Sequence, residues 1–335
     1  MTIKDLSAQT GYSVGTISRV LNNQPNVSEK ARQVILKAAK DSGFQLNANA
    51  KQLKQQHGTA ILVVAKGTSN ELFSSLVEAL QTRISHTSYP LVVDYVDELD
   101  NEVHRALQLC REKKPQGVLF LGGNRKNFLA DFGKITVPCV LVTNDASGLD
   151  FDNLSSVSSD DVLAGRMAID HLVSLGHEKF VVIGGDRDAS DTTMLRYRGC
   201  MDAFRQHGIR FDEGLDYETA RFSYAEGYRA AKQLLKRGRE FTALFAMSDV
   251  MAIGAIRALR DAGKRVPEDV SVMGLDGLNI GEYTIPKLAT VCQAVEKLAE
   301  RSLSLLLQNI EQKTPASHET IPVYLEWKES ARQIH

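Results

Sequence analysis

The sequence predicts an α/β protein in two parts: a small, basic, three-helix head at the amino terminus and a larger core of parallel sheets. Three observations carry this. The first 57 residues hold eight Lys and Arg against three Asp and Glu, a net +5, although the whole chain of 335 residues carries only −1, so the remainder is at −6. Residues 3–42 show apolar spacings of helical period between serine and glycine punctuation. From about Ala60 the texture changes to short apolar runs separated by helical stretches, as buried parallel strands with crossover helices read.

Composition narrows the class. With 43% hydrophobic and 24% charged residues the chain sits near the averages for soluble domains, which disfavours disorder and fibrous structure. Its length exceeds the ~100–200 residues of one domain. No stretch approaches the ~18 apolar residues of a membrane span, and "MTIKDLSAQT" lacks the apolar centre of a signal peptide. The expectation is a cytoplasmic protein without a membrane partner. Cys110, Cys139, Cys200 and Cys292 form no CxxC pair and read as reduced, mostly buried thiols.

The head is read element by element. Thr2 and Asp5 make a capping-box-like start, and Ile3, Leu6 and Gly11 mark a first helix that stops at a glycine. Ser13 caps a second helix whose Val14, Ile17, Val20 and Leu21 form an apolar stripe. The opposite face carries Gly15, Thr16, Ser18, Arg19 and Asn22, side chains short enough to sit in a groove and able to bond phosphates or base edges. This is the pattern of a helix-turn-helix with its recognition helix in the DNA major groove. Ser28 caps a third helix through about Ser42, with Val34, Ile35 and Ala38 inward and Gly43 as its stop.

"TIKDLSAQTGYSVGTISRVLNNQPNVSEKARQVILKAAKDSGFQLNANAKQL" closely resembles, over about fifty residues, the head of the LacI/GalR family of bacterial transcription regulators. The resemblance implies a helix-turn-helix domain over residues 1–45, a hinge helix over 46–57 and a periplasmic-binding-protein-like core over 58–335, its two lobes divided near residue 158. In the family the first two residues of the recognition helix choose the operator, and here they are Val14 and Gly15. Neither side chain donates a hydrogen bond, which leaves Arg19 as the polar base reader and Thr16 and Ser18 as phosphate-positioning residues. In "LNANAKQLKQQ" Ala50 and Leu53 fall where the family wedges a leucine into the minor groove.

In the core, "AILVVA", "PLVVDYV", "GVLFLGG", "PCVLVT", "KFVVIGG", "FTALFAM" and "VSVMGLD" are the strand candidates. Ligands of open α/β sheets lie beyond the carboxyl ends of such strands. By family position the effector residues are Phe73, Asn144, Asp145, Arg196, Phe222, Ser248, Asp249 and Asp276, a set suited to a sugar or sugar derivative. Arg196→Ala is expected to remove the effector response and leave the fold intact. Ser248-Asp249 in place of an Asn-Asp pair, "GLDG" at 274–277 and the absence of a proline in "SNELF" depart from the family and leave the ligand's identity open. In "SDVMAIGAIRALRDAG" the residues Met251, Ile253, Ile256 and Leu259 are too many for one narrow stripe, and Ile253 falls by resemblance at a subunit contact.

Enzymes are the rival class. "GVLFLGGNRK" has Gly123-Asn124 where a phosphate-binding loop needs Gly-Lys-Ser/Thr, and the histidines show no HExxH spacing. His177 in "LGHEK" reads as the end of a helix. A transport binding protein would share the core but not the basic head. The expectation is therefore an effector-controlled repressor that binds pseudopalindromic double-stranded operator DNA as a homodimer, with no cofactor or metal.

Overall fold

The first described element is a helix, α1 (Ile3–Thr10), followed by α2 (Val14–Leu21) and α3 (Glu29–Asp41). The computed structural model describes residues 3–21, 27–42, 59–67 and 70–334, and it divides into the units Met1–His57 and Gly58–His335. In the first unit the three helices enclose Leu6, Ile17, Val20, Ala31, Ile35 and Ala39. Gly11 ends α1 with φ +72, a left-handed backbone that costs glycine no Cβ clash. The Ser13 hydroxyl accepts from the Thr16 N–H at 3.2 Å, and Ser28 accepts from the Ala31 N–H at 3.3 Å, so both serines cap as their positions suggest.

Two valines depart from the expected stripes: Val14 is 39% exposed and Val34 is 40% exposed. The pair Ile17 and Val20 turns α2 inward, and the buried row of α3 is Ala31, Ile35 and Ala39 at i, i+4 and i+8. Val34 lies one position off that row, with Ala38 half-buried beside it. The side chain of Ser18, Asn22, the stop at Gly43 and the hinge 46–57 with Ala50 and Leu53 lie outside the described residues.

In the second unit β1 (Ile61–Lys66), α4 (Glu71–Ile84), β2 (Leu91–Val96), α5 (Glu102–Lys113), β3 (Gly117–Leu121), α6 (Arg125–Asp131), β4 (Cys139–Thr143) and β5 (Leu154–Ser159) build the first lobe. The chain then runs through α7 (Asp161–Ser174), β6 (Phe180–Gly184), α8 (Asp191–Gln206), the short α9 (Glu213–Asp216), β7 (Tyr217–Thr219), α10 (Tyr224–Lys236), β8 (Ala243–Ala246), α11 (Asp249–Asp261), β9 (Ser271–Asp276) and β10 (Ala289–Cys292). It ends with α12 (Val295–Gln312), β11 (His318–Ile321) and β12 (Tyr324–Glu326). The two sheets have the orders β2-β1-β3-β4-β5-β11 and β7-β6-β8-β9-β10-β12. Every pairing is parallel except that of β12 with β10.

A single division near residue 158 describes only the first passage between lobes. After β10 the chain returns, because Leu298, Leu303 and Leu306 of α12 pack into the same apolar cluster as Ile61 and Val63, and β11 pairs with β5. After β11 it passes back to β12, so three segments join the lobes.

β5, "LSSVSS", is buried along its whole length. Its hydroxyls are matched: Ser155 donates to Asn309 Oδ1 at 3.1 Å and Ser156 lies 2.8 Å from His318 Nδ1, as buried polar groups require. His177 closes the end of α7, its N–H donating to the Leu172 carbonyl at 3.2 Å, but its side chain turns inward. It is buried, with Nδ1 2.9 Å from Thr242 Oγ1 and Nε2 2.9 Å from Ser271 Oγ, and burial lowers its pKa. All four cysteines are free, and burial pushes the Cys110 thiol up to about 11. No helix among the described residues is long and apolar enough to cross a membrane.

Candidate functional site

Each sheet reverses its winding in the middle, between β1 and β3 in one lobe and between β6 and β8 in the other. Crevices open beyond the carboxyl ends of strands at such points. A cavity of about 440 Å³ lies there, lined from both lobes.

Arg196, from α8, organises its floor. The guanidinium is 4% exposed; it donates from Nε to Asp161 Oδ1 at 2.8 Å and from Nη1 to the Met247 carbonyl at 2.6 Å, and Nη2 lies 3.8 Å from Asp276 Oδ1. Burial pushes the Asp276 and Asp161 carboxyls up, and the guanidinium beside them pulls both back. Asp276 has φ +127, a backbone region that costs a non-glycine residue about 1–3 kcal/mol. It is held there by Gln293 Nε2, which donates to Oδ1 at 2.8 Å, while Gln293 Oε1 accepts from Ser159 Oγ at 2.9 Å. Asp161 follows the first passage between lobes and Gln293 the second. The hydrogen bonds of Arg196 and Asp276 therefore reach both connecting segments.

Across the mouth, Arg221 Nη2 meets Asp97 Oδ1 at 2.5 Å, and the Tyr224 hydroxyl donates to Glu71 Oε1 at 2.5 Å. On the other side Asn124 Nδ2 donates to the Ala189 carbonyl at 2.9 Å and the Arg125 N–H to Asp191 Oδ2 at 3.1 Å. These bonds close the lobes on each other. Exposed pairs of this kind contribute only ~0–1 kcal/mol each, so opening the cleft costs little.

Of the residues expected at the effector site, Phe73, Asn144, Arg196, Phe222 and Asp276 line the cavity, and Asp145, Ser248 and Asp249 do not. Asp145 is exposed and turns back to accept from Ser147 Oγ at 2.6 Å. Ser248 caps α11, accepting from the Met251 N–H at 3.3 Å. Asp249 is buried, accepts from Thr290 Oγ1 at 2.6 Å and from the Leu278 N–H at 2.7 Å, and so joins β10 to the loop after β9. The positions are strand ends, but these side chains serve the loops they start.

Sequence reading missed Lys66, Asp97, Arg221 and Arg229. Lys66 closes β1, and Asp97 and Arg221 follow β2 and β7 within two residues, so the strand-end rule could have found these three, but not Arg229, which lies inside α10. "GVLFLGGNRK" also belongs here: Gly122 has φ +74, and a Cβ on it would come within 2.8 Å of the Phe73 ring.

On the head, Val14, Gly15 and Arg19 are exposed. A Cβ on Gly15 would meet nothing closer than Ser13 Oγ at 3.8 Å, and Thr16 Oγ1 lies 3.0 Å from the same hydroxyl. The exposure that removes Val14 from the apolar stripe makes it available to a partner. On α11, Met251, Ile256 and Leu259 are buried in their own lobe, so Ile253 alone of that group keeps partly exposed apolar surface.

A basic helix-turn-helix unit joined in one chain to a two-lobed core with a central cleft defines a ligand-controlled DNA-binding regulator. Family models agree: residues 2–47 match "Bacterial regulatory proteins, lacI family" and residues 169–331 match "Periplasmic binding protein-like domain". The chain is 34% identical over 313 residues to the HTH-type transcriptional regulator MalR of Clostridium butyricum, covering 92% of this chain and 93% of that one. It is 31% identical over 305 residues to the HTH-type transcriptional regulator DegA of Bacillus subtilis, covering 90% and 89%. Among solved structures it superposes on the Lac repressor dimer bound to operator and the anti-inducer ONPF with a TM-score of 0.79 at 25% identity, covering 99% of each chain. It superposes on the complex of the transcriptional regulator CelR with cellobiose with a TM-score of 0.72 at 26% identity, covering 99% of this chain and 100% of that one. The chain belongs to the LacI family of bacterial regulatory proteins. It is a DNA-binding transcriptional regulator and not an enzyme.

Proposed function

We propose that this regulator is a cytoplasmic repressor that binds a pseudopalindromic operator as a homodimer and is controlled by a sugar or sugar derivative between the lobes of its core. The observation that carries the effector reading is the floor of the cleft: a buried guanidinium and a buried carboxylate from two βα units, with Phe73 and Phe222 entering the lining from opposite lobes. Hydroxyl groups bond the first pair, and apolar ring faces cover the second. The relatives solved with cellobiose and with ribose support the same class.

In this reading residues 1–45 bind DNA, 46–57 form the hinge and 58–335 bind effector and dimerise. Val14, Gly15, Thr16, Ser18, Arg19 and Asn22 face the major groove, and Ala50 and Leu53 the minor groove. Ile253 lies at the subunit contact, with the exposed Ile280, Tyr283 and Ile285 as further apolar surface of the same lobe. A thermal-shift screen of the full chain against sugars, sugar phosphates and nucleobases tests the reading. A ligand at 100 times its dissociation constant adds ~2.7 kcal/mol, and the reading fails if only non-carbohydrates stabilise the protein.

A further inference from the structure

We propose that the effector is an uncharged polyhydroxylated molecule, a neutral sugar rather than a sugar phosphate or a sugar acid; this narrows the sugar reading above and rests on it. Four cations line the cavity, and each already faces a carboxylate. Lys66 Nζ is 2.5 Å from Glu102 Oε2, Arg196 Nε is 2.8 Å from Asp161 Oδ1, Arg221 Nη2 is 2.5 Å from Asp97 Oδ1 and Arg229 Nε is 3.0 Å from Glu226 Oε2. Glu98 adds a second carboxylate 3.3 Å from Arg221. The lining itself holds five carboxylates against these four cations, and Thr68 and Ser69, next to it in sequence, carry no charge.

A phosphate or carboxylate entering this cleft finds every lining guanidinium and ammonium already within 4 Å of a carboxylate, Arg196 Nη2 least closely, at 3.8 Å from Asp276 Oδ1. At Lys66 and Arg196 it must displace Glu102 or Asp161 and leave that group buried and unpaired, and at the more exposed Arg221 and Arg229 it sits beside Asp97, Glu98 and Glu226 as a like charge. Hydroxyls meet neither penalty. Asp276 is 4% exposed and receives one side-chain hydrogen bond among the described residues, from Gln293, so a buried carboxylate keeps acceptor capacity for O–H donors. An amine would likewise meet carboxylates that already face a cation at Asp97, Glu98, Glu226 and Asp276. The C–H faces of a sugar ring suit Phe73 and Phe222, and about 440 Å³ accommodates one or two rings.

The test is isothermal titration calorimetry of the full chain with matched sets. Neutral pentoses, hexoses and their disaccharides are titrated beside their phosphates, uronic acids and amino derivatives, with adenine and guanine as uncharged non-sugars. The expected tightest ligand is a neutral sugar, with its phosphorylated and acidic counterparts at least tenfold weaker. A phosphate, acid or amine that binds more tightly than its neutral counterpart overturns the proposal and leaves the sugar reading standing. A purine base as the tightest ligand, or no binding by any member of the set, overturns the sugar reading and this proposal with it. In the double variant Asp97→Asn, Glu98→Gln, Arg221 loses its counter-charges, and the ratio of phosphate to neutral affinity is expected to rise at least tenfold. An unchanged ratio overturns the claim that the paired carboxylates exclude anions.

Discussion

On α2 the guanidinium of Arg19 is exposed, while on α8 that of Arg196 is 4% exposed and bonded to Asp161 Oδ1 and the Met247 carbonyl at 2.8 and 2.6 Å. The first side chain is available to a macromolecular partner at little internal cost. The second is engaged by its own chain before any ligand arrives, so it orders the cleft as well as touching what enters it. The head thus presents chemistry on a small self-contained helix bundle, whereas the cleft builds chemistry out of the same bonds that hold the second lobe together. Substitutions in the two regions should therefore fail differently: binding alone in the head, and stability together with binding in the cleft.

The largest effect expected is that of Arg196→Ala. Seen from the sequence this change removes only the effector response, but burial alters that expectation. Deleting the guanidinium leaves Asp161 and Asp276 buried without their cation, and breaking a buried pair by removing one partner costs about 3–5 kcal/mol. Urea denaturation of the full chain should show that loss in the transition of the core, along with an abolished effector response. A variant that loses the response at unchanged stability would break the contrast between the two regions.

The same contrast explains what is legible in the amino-acid sequence alone. Helix starts and stops in the head are local, and Ser13, Gly11 and Ser28 behave as their positions suggest. The apolar strands β1, β3, β4, β6 and β8 were equally legible, since a parallel strand buried on both faces is a continuous apolar run. β5 was not, because "LSSVSS" is buried through matched hydroxyls and has no apolar pattern. β10, β11 and β12 are four, four and three residues long and give no periodicity. In the site, the family resemblance supplied Arg196, which lies inside α8, and Asp276, which ends β9; the rule that ligands lie at strand ends does not say which way a strand-end side chain turns. Ser248 and Asp249 therefore turned out to serve a cap and a loop. Gln293 and Asp161 gave no signal, because their role depends on the chain passing between lobes more than once.

The next effect in size is on the head. Arg19→Ala should weaken specific operator binding by ~1–3 kcal/mol, with a smaller loss on random duplex and no change in the stability of the core. Equal losses on both DNAs would make Arg19 a phosphate anchor, and a loss of core stability would remove the distinction drawn above. In the core, buried His177 provides the counterpart as a pH effect. Its folded pKa is lowered from 6.5 by burial, so above that value both states are neutral and the group does not change stability with pH. As pH falls through 6.5 the unfolded chain takes up a proton that the folded chain refuses, and stability drops by up to about 1.4 kcal/mol per pH unit. Denaturation at pH 7 and pH 5.5 should show the difference in the wild type and a shallower one in His177→Asn; equal pH dependence in both would place the titration elsewhere.

The smallest effect separates the stability of the head from its use. Gly15 lies inside α2, where glycine costs roughly 1 kcal/mol of helix propensity relative to alanine, and the space for a Cβ is open, with Ser13 Oγ at 3.8 Å its nearest neighbour. Nothing within the described protein requires a glycine there. Gly15→Ala should therefore strengthen α2, slowing amide exchange in residues 14–21 by up to about fivefold, the factor that 1 kcal/mol represents. Were internal stability the purpose of this surface, operator affinity would hold or rise with it. If the helix instead needs its backbone close to the base edges, the added methyl group reaches the DNA before the rest of the helix is seated, and operator affinity falls although the head is more stable. The second outcome is the one expected, and affinity that is unchanged or improved in a gel-shift titration would show that Gly15 contributes no close approach to the operator.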